Sequence, residues 1–224
     1  GIEPGDEIIC PPYTMSASAS CAFFYGGIPV FADVKHQTGC LDPESVKARI
    51  SERTKAIMVV HLFGYPAQMD ELCKIAREHN LAIIEDAAQA PGTLYKGKQV
   101  GAIGDIGGFS LNFHKHIHTG EGGIIVTNND ELAERCRYIR NHGENIIESF
   151  PYQNPTNLIG GNYRLSELQA ALGNTLLPKL STIVEKRIAN ATILNKRFEG
   201  IPCLQAQKLE HSNDRHSYYL YPMT

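Results

Sequence analysis

Six short apolar runs recur along the chain, each closed by a polar or glycine-rich turn: Glu7 to Cys10, Pro29 to Val34, Ala56 to Leu62, Leu81 to Glu85, Ile106 to Leu111 and Gly123 to Thr127. They are continuous rather than alternating and rich in β-branched residues, the pattern of strands buried on both faces of a largely parallel sheet. Helical signals separate them. Asp42 fits an N-cap and Pro43 the first helical position, while Leu41 and Val46 are spaced for a hydrophobic staple. A second helix is predicted over about Met69 to His79, with Leu72, Ile75 and Ala76 on one face. A third is predicted from Asp130 to Arg140, where Asn128 and Glu131 have capping-box spacing. Strands alternating with helices predict an α/β fold.

The texture changes after Gly143. Ser149 to Gly161 is polar and rich in Pro and Asn, and Leu165 to Phe198 reads as helix interrupted at Gly173 and Pro178. Pro178 removes a backbone donor and clashes with the preceding turn, so a kink or split is expected there. The division that follows is 1–160, 161–200 as connecting helices, and 201–224, which carries Tyr218, Tyr219 and Tyr221.

The 224 residues allow one sizeable core, and 21 Lys+Arg against 24 Asp+Glu give a formal charge of −3. That balance lacks the basic footprint of a nucleic-acid binder. The six cysteines are scattered without a C-x-x-C pair, as in reduced cytoplasmic proteins. No apolar run approaches the roughly 20 residues that span a bilayer, so no membrane partner is expected and the expected location is the cytoplasm.

Ligands of open α/β sheets gather at the carboxyl ends of the strands. Two such ends carry chemistry here. One runs into Glu85-Asp86-Ala87-Ala88-Gln89; the other runs into Ser110, followed by Lys115 and Thr119-Gly120-Glu121-Gly122-Gly123. An acidic residue after a strand is commonly a cap, and a lone loop lysine is commonly solvated. Together, however, they match what pyridoxal phosphate needs: a lysine of lowered pKa for a Schiff base and an Asp that keeps the ring a pyridinium. Ser110 offers a hydroxyl for a phosphate, and the glycine turn lets backbone approach a ligand closely.

The strings Ile84-Glu85-Asp86-Ala87-Ala88-Gln89-Ala90, Phe109-Ser110-x4-Lys115-x4-Gly120-Glu121-Gly122-Gly123 and Gly161-Asn162-Tyr163-Arg164-Leu165-Ser166-Glu167-Leu168-Gln169-Ala170-Ala171 resemble the DegT/DnrJ/StrS aminotransferases. Pro4-Gly5-Asp6-Glu7, Pro29 to Val34 and Val60-His61-Leu62-Phe63-Gly64 fit the same family, so the resemblance covers nearly the whole chain. It implies a type I pyridoxal-phosphate transferase fold: a mostly parallel sheet flanked by helices, then the beginning of a smaller C-terminal α+β domain. It also implies a transaminase that moves an amino group, from L-glutamate, to a keto-sugar or aldehyde sugar, nucleotide-linked, in amino-sugar biosynthesis.

Carried over residue by residue, the resemblance makes Lys115 the Schiff-base lysine and Asp86 the partner of the ring nitrogen. It places Gln89 near the phenolic oxygen and Ser110 at the phosphate. Asn162 matches an asparagine that reaches the phosphate of a neighbouring subunit, which implies a homodimer with shared active sites. Met15 stands where the family often places a stacking aromatic; a thioether packs on a ring with less area, and Tyr13 is a candidate to compensate. The family's Ser-Gly-Thr-Ala-type phosphate turn lies upstream of the Gly-Asp-Glu string with which this chain opens, so the expectation is a piece of a longer enzyme.

Three other readings bear on these residues. His114, His116 and His118 alternate as metal ligands on an extended segment would, without a fourth ligand at a recognisable spacing. Sugar dehydratases related to the family replace the lysine by histidine, and histidines flank Lys115 on both sides. A cofactor-bound regulator or binding module is the third, at odds with an intact Lys115, Asp86 and Gln89.

Overall fold

The computed structural model describes residues 1–144 and 158–224. In chain order the elements are β1 (Glu7–Cys10), α1 (Ala17–Ser20), β2 (Ile28–Phe31), α2 (Pro43–Arg49), β3 (Thr54–Val60), α3 (Met69–Glu78), β4 (Ala82–Asp86), β5 (Leu94–Tyr95), β6 (Lys98–Gln99), β7 (Ile106–Ser110), β8 (Gly123–Val126), α4 (Asp130–Arg140), α5 (Glu167–Leu176) and α6 (Leu180–Phe198). Six strands form one sheet in the order β2-β1-β3-β4-β7-β8. All pair in parallel except β8, which runs antiparallel to β7. The β-branched runs therefore occupy the centre of an α/β sheet, where Ile9, Ile57 and Val59 are fully buried together with Val46 of α2 and Leu72 of α3.

Local sequence explains most element ends. Asp42 caps α2 by accepting from the Glu44 N–H, Pro43 opens the helix, and Leu41 and Val46 are both buried. At α4 the cap is one residue later than the spacing of Asn128 and Glu131 predicts. The Asn129 backbone is extended (φ −100°, ψ 115°) and its side chain accepts from the Leu132 N–H, so the third helical position is a leucine with no side-chain acceptor and no capping box forms. A capping box does form at α5, between Ser166 and Gln169.

The long C-terminal helical stretch breaks where proline demands it, in a 3-10 turn at Leu177–Lys179. Gly173 interrupts nothing: α5 runs straight through it. Its role is close approach, since a Cβ there would lie 3.1 Å from the Thr119 methyl. A small hairpin, β5–β6, escaped the hydrophobic pattern because its strands have two residues each; Lys96 and Gly97, both at positive φ, make its turn.

The polar segment expected from Ser149 to Gly161 lies, up to residue 157, outside the described residues. Residues 201–224 form isolated bridges, Ala206 with Met223 and Arg215 with Leu94, and return to the loops above β3: the Ser217 N–H donates to the Gly64 carbonyl and the Tyr219 N–H to that of Phe63.

Candidate active site

The carboxyl ends of β3, β4 and β7 lie side by side, with Asp86 in register between Val60 and Gly108. Parallel strands deliver their last residues to one edge, so residues distant in sequence converge there. Asp86 is the last residue of β4 and Ser110 the last of β7, and both line a groove of about 420 Å³ whose floor includes Ile84, Gly108 and Phe109. On the opposite face of β7 glycine is required at Gly107, where a Cβ would run into the Gly101 carbonyl, whereas a Cβ on Gly108, beside Asp86, would meet only open space.

Each candidate side chain has an identifiable hold and a free valence. Asp86 accepts from the Ala88 N–H (3.1 Å) and from the Ser18 hydroxyl (2.7 Å). Gln89 Oε1 accepts from the Phe63 N–H at 2.7 Å, so its NH₂ is the end left to donate to a ligand acceptor. Ser110 Oγ accepts from the Asn112 N–H at 3.2 Å, which leaves its proton available to an anionic oxygen. Lys115 is half-buried, and its Nζ sits 4.6 Å from the centre of the Tyr219 ring. Burial pulls the Lys115 amine below the ordinary lysine value, while the negative charge of Asp86 opposes that shift. An amine lowered in this way is the nucleophile that carbonyl chemistry requires.

Behind this edge lies a fully buried hydrogen-bonded pair, His61 and Glu85, that the reading of the sequence did not single out. His61 Nδ1 accepts from the Ala67 N–H at 3.1 Å, so the proton is on Nε2, which donates to Glu85 Oε2 at 2.9 Å. Glu85 also accepts from the N–H groups of Gly101, Ile103 and Gly104 at 2.6, 2.7 and 2.6 Å. Burial alone would raise the Glu85 carboxyl, but the His61 bond and these backbone donors outweigh it and hold it below the usual carboxylate value. The pair ties the end of β3 and the loop before β7 to the residue next to Asp86. The neighbouring Asp86 carbonyl accepts from the His61 N–H at 3.1 Å.

The other expected residues are placed differently. Asn162 is exposed on a segment bridged to Asn141 at the end of α4, and no hydrogen bond between described residues joins it to Asp86, Gln89, Ser110 or Lys115. Nor does it cap α5, since Ser166 does that. Met15 is 66% exposed just before α1, and Tyr13 stands edge-on to Phe63 with ring centres 6.0 Å apart. The three histidines face three surroundings: His114 is exposed against Phe113, His116 is buried against the Ser217 carbonyl at 2.9 Å, and His118 accepts from the Gly120 N–H. Among the described residues no group of three or more His, Cys, Asp or Glu is arranged to hold a metal ion.

Tyr219 and Ser18 were missed as site residues. Nothing local marks them; each is brought in by the fold from far along the chain. A larger cavity of about 730 Å³, between Thr38, Tyr65, Asn195 and Gln207, contains none of the candidate residues. Among the described residues no helix is long and apolar enough to cross a membrane.

Comparison with known proteins gives a consistent result. The profile of the DegT/DnrJ/EryC1/StrS aminotransferase family matches residues 1–224. The chain is 44% identical over 180 residues to GDP-perosamine synthase of Caulobacter vibrioides, covering 80% of this chain and 47% of that protein. It is 40% identical over 227 residues to L-glutamine:2-deoxy-scyllo-inosose aminotransferase of Streptomyces lividus, covering 99% and 53%. Among solved structures, S. venezuelae DesV in complex with a ketimine intermediate superposes with a TM-score of 0.90 at 35% identity, over all of this chain and 58% of that one. The chain thus spans about half of the length of these relatives.

Proposed function

The chain belongs to the DegT/DnrJ/EryC1/StrS aminotransferase family, and from that premise we propose that it is the cofactor-binding part of an aminotransferase that transfers an amino group to the carbonyl of a sugar. The fold is the type I fold of pyridoxal-phosphate transferases, a mostly parallel sheet with flanking helices. Residues 1–160 are the large domain in this reading, 161–200 the connecting helices and 201–224 the start of a smaller domain. The observation that carries the proposal is that Asp86 and Ser110 line one strand-end groove, with Lys115 close enough to feel the charge of Asp86 and Gln89 three residues beyond Asp86 in the chain.

The donor set fits pyridoxal phosphate. Asp86 offers a carboxylate to a ring N–H, Gln89 an NH₂ to a phenolic oxygen, Ser110 a hydroxyl to a phosphate and Lys115 an amine to an aldehyde, beside the open space at Gly108. When bound, the cofactor supplies a carbonyl that exchanges amines and a pyridinium that withdraws electrons from the substrate carbon. Asp86 keeps that nitrogen protonated, because a buried-edge carboxylate favours the adjacent cation. With the cofactor bound, Lys115 Nζ would be the group that takes the proton from the amino acid's α-carbon and hands it back on the other side of the transferred nitrogen. Overall, amino acid and keto-sugar become 2-oxo acid and amino-sugar, so nitrogen and oxygen exchange places and atoms balance.

Lys115 also decides against a dehydratase. It is this lysine that feels Asp86 and lies over Tyr219, while His114 is exposed and His116 is engaged with Ser217. We assign L-glutamate as donor and a nucleotide-linked sugar as acceptor. One relative's name specifies L-glutamine, so both amino acids belong in the test.

A second copy of the chain is the proposed partner. Asn162 is exposed and, among the described residues, has no hydrogen bond to Asp86, Gln89, Ser110 or Lys115; the Tyr25 hydroxyl bonds to the Ile159 carbonyl (2.8 Å), and Phe24 and Ile159 are both exposed. The deciding experiment adds L-glutamate or L-glutamine to the protein reconstituted with pyridoxal phosphate. Conversion of the bound cofactor's spectrum to its amine form supports the reading; if neither amino acid converts it, the reaction is misassigned.

A further inference from the structure

Asp86 is held by more than its own strand. Its Oδ1 accepts from the Ala88 N–H and its Oδ2 from the hydroxyl of Ser18, which lies 68 residues earlier in the chain. Ser18 is only 4% exposed, within the short helix α1. Its oxygen is also 2.8 Å from that of Thr14. A serine hydroxyl carries one proton, and an ionised carboxylate can only accept. The Ser18 proton is therefore committed to Asp86, Thr14 must donate to Ser18, and the bonds run in one direction from Thr14 through Ser18 to Asp86.

From this geometry we propose that Ser18 is a positioning residue for Asp86: backed by Thr14, it fixes the carboxylate's rotation and draws off part of its charge, thereby setting how strongly Asp86 acts on the ring nitrogen of the cofactor. The inference rests on the reading of Asp86 as the ring partner. With a donor on each oxygen, the carboxylate cannot rotate without breaking a hydrogen bond, and about half of its roughly four acceptor sites stay free for a ligand. The other titratable groups that face Asp86 are Lys115, from the loop after β7, and Cys21, in the turn after α1; each feels its charge. Neither can replace Ser18 as a fixed donor: Lys115 is assigned to the chemistry, and the Cys21 thiol is directed to the Ser18 carbonyl.

The test is a pH titration of the visible band of pyridoxal phosphate bound to the protein, beside steady-state kinetics. In S18A the cofactor stays bound and kcat falls about tenfold, the factor expected for one hydrogen bond to a charged group. The midpoint of the band rises, because a carboxylate without its donor presents more negative charge and the cofactor's proton is held more firmly. D86N also moves the midpoint, since both the carboxylate charge and the ring proton it holds are lost. S18T restores both kcat and midpoint, and T14V shifts the midpoint in the S18A direction by a smaller amount. If D86N shifts the midpoint and S18A leaves it in place, the role of Ser18 is overturned while that of Asp86 stands. If D86N leaves it in place as well, the reading of Asp86 fails and this inference with it. Should S18A not fold, T14V alone decides, and an unmoved midpoint overturns the proposal.

Discussion

Lys115 Nζ lies 4.6 Å from the centre of the Tyr219 ring, on a segment that the end of the described chain folds back over the strand ends. The segment is pinned on both sides. The Tyr219 N–H donates to the Phe63 carbonyl (2.8 Å), and Arg187 Nη1 donates to the carbonyls of Tyr218 and Tyr219 (2.9 and 3.2 Å). Phe63 in turn donates its N–H to Gln89. The lysine, the ring above it and the glutamine beside it are thus parts of one bonded frame.

Borohydride reduction of the protein with pyridoxal phosphate is expected to label Lys115, and K115A to lose the label with its fold intact; peptide mapping to another lysine would reject the assignment. The ring of Tyr219 favours the cationic amine by about 0.5–2 kcal/mol. Y219L is therefore expected to shift the pH profile of labelling to lower pH, by up to about 1.5 units, while Y219F, which keeps the ring, leaves the profile in place.

Glu85 to Gln should destabilise the fold by roughly 3 kcal/mol, the upper scale for leaving buried hydrogen-bonding groups unpaired. An amide would turn an NH₂ toward donors on whichever side it faced, because both Glu85 oxygens already accept from N–H groups. Urea denaturation measures this directly, and a loss below about 1 kcal/mol would show that the network repacks around the amide.

Acid should weaken the protein well before its carboxylates titrate. Burial pushes His116 down to about 4 and His216 down to about 3, so both are neutral in the fold, while in the unfolded chain they take a proton near the ordinary histidine value. The unfolded state then binds more protons. The stability is full above about pH 6.5 and is lost as pH falls toward these folded values. The urea midpoint is expected to drop between pH 6.5 and 5, and H216N, which cannot titrate, to flatten that drop; a midpoint independent of pH would contradict it.

Mixing K115A with N162A should restore activity if each groove draws Asn162 from a neighbour, since a heterodimer then holds one site with both residues native. Size-exclusion chromatography at micromolar concentration checks the premise. A fully active monomer would refute shared sites.

What the sequence by itself determined is what depends on near neighbours along the chain. Continuous β-branched runs placed all six strands of the sheet within three residues of their observed ends, and Asp42-Pro43 marked the start of α2 because capping is a matter of adjacent backbone groups. Asp86, Gln89, Ser110 and Lys115 could be named as candidates for a related reason: parallel strands end on one edge, so residues just past strand ends can be expected to meet. Only the tertiary structure decided which groups hold them. Ser18 on Asp86, Phe63 on Gln89, Tyr219 on Lys115 and His61 on Glu85 are contacts between residues far apart in the chain. No spacing announces them, because each depends on where the packing of the sheet brings two segments together. Even Gly173, read as a helix break, proved to be a place where α5 passes close to Thr119, a constraint that exists only once the helix has docked.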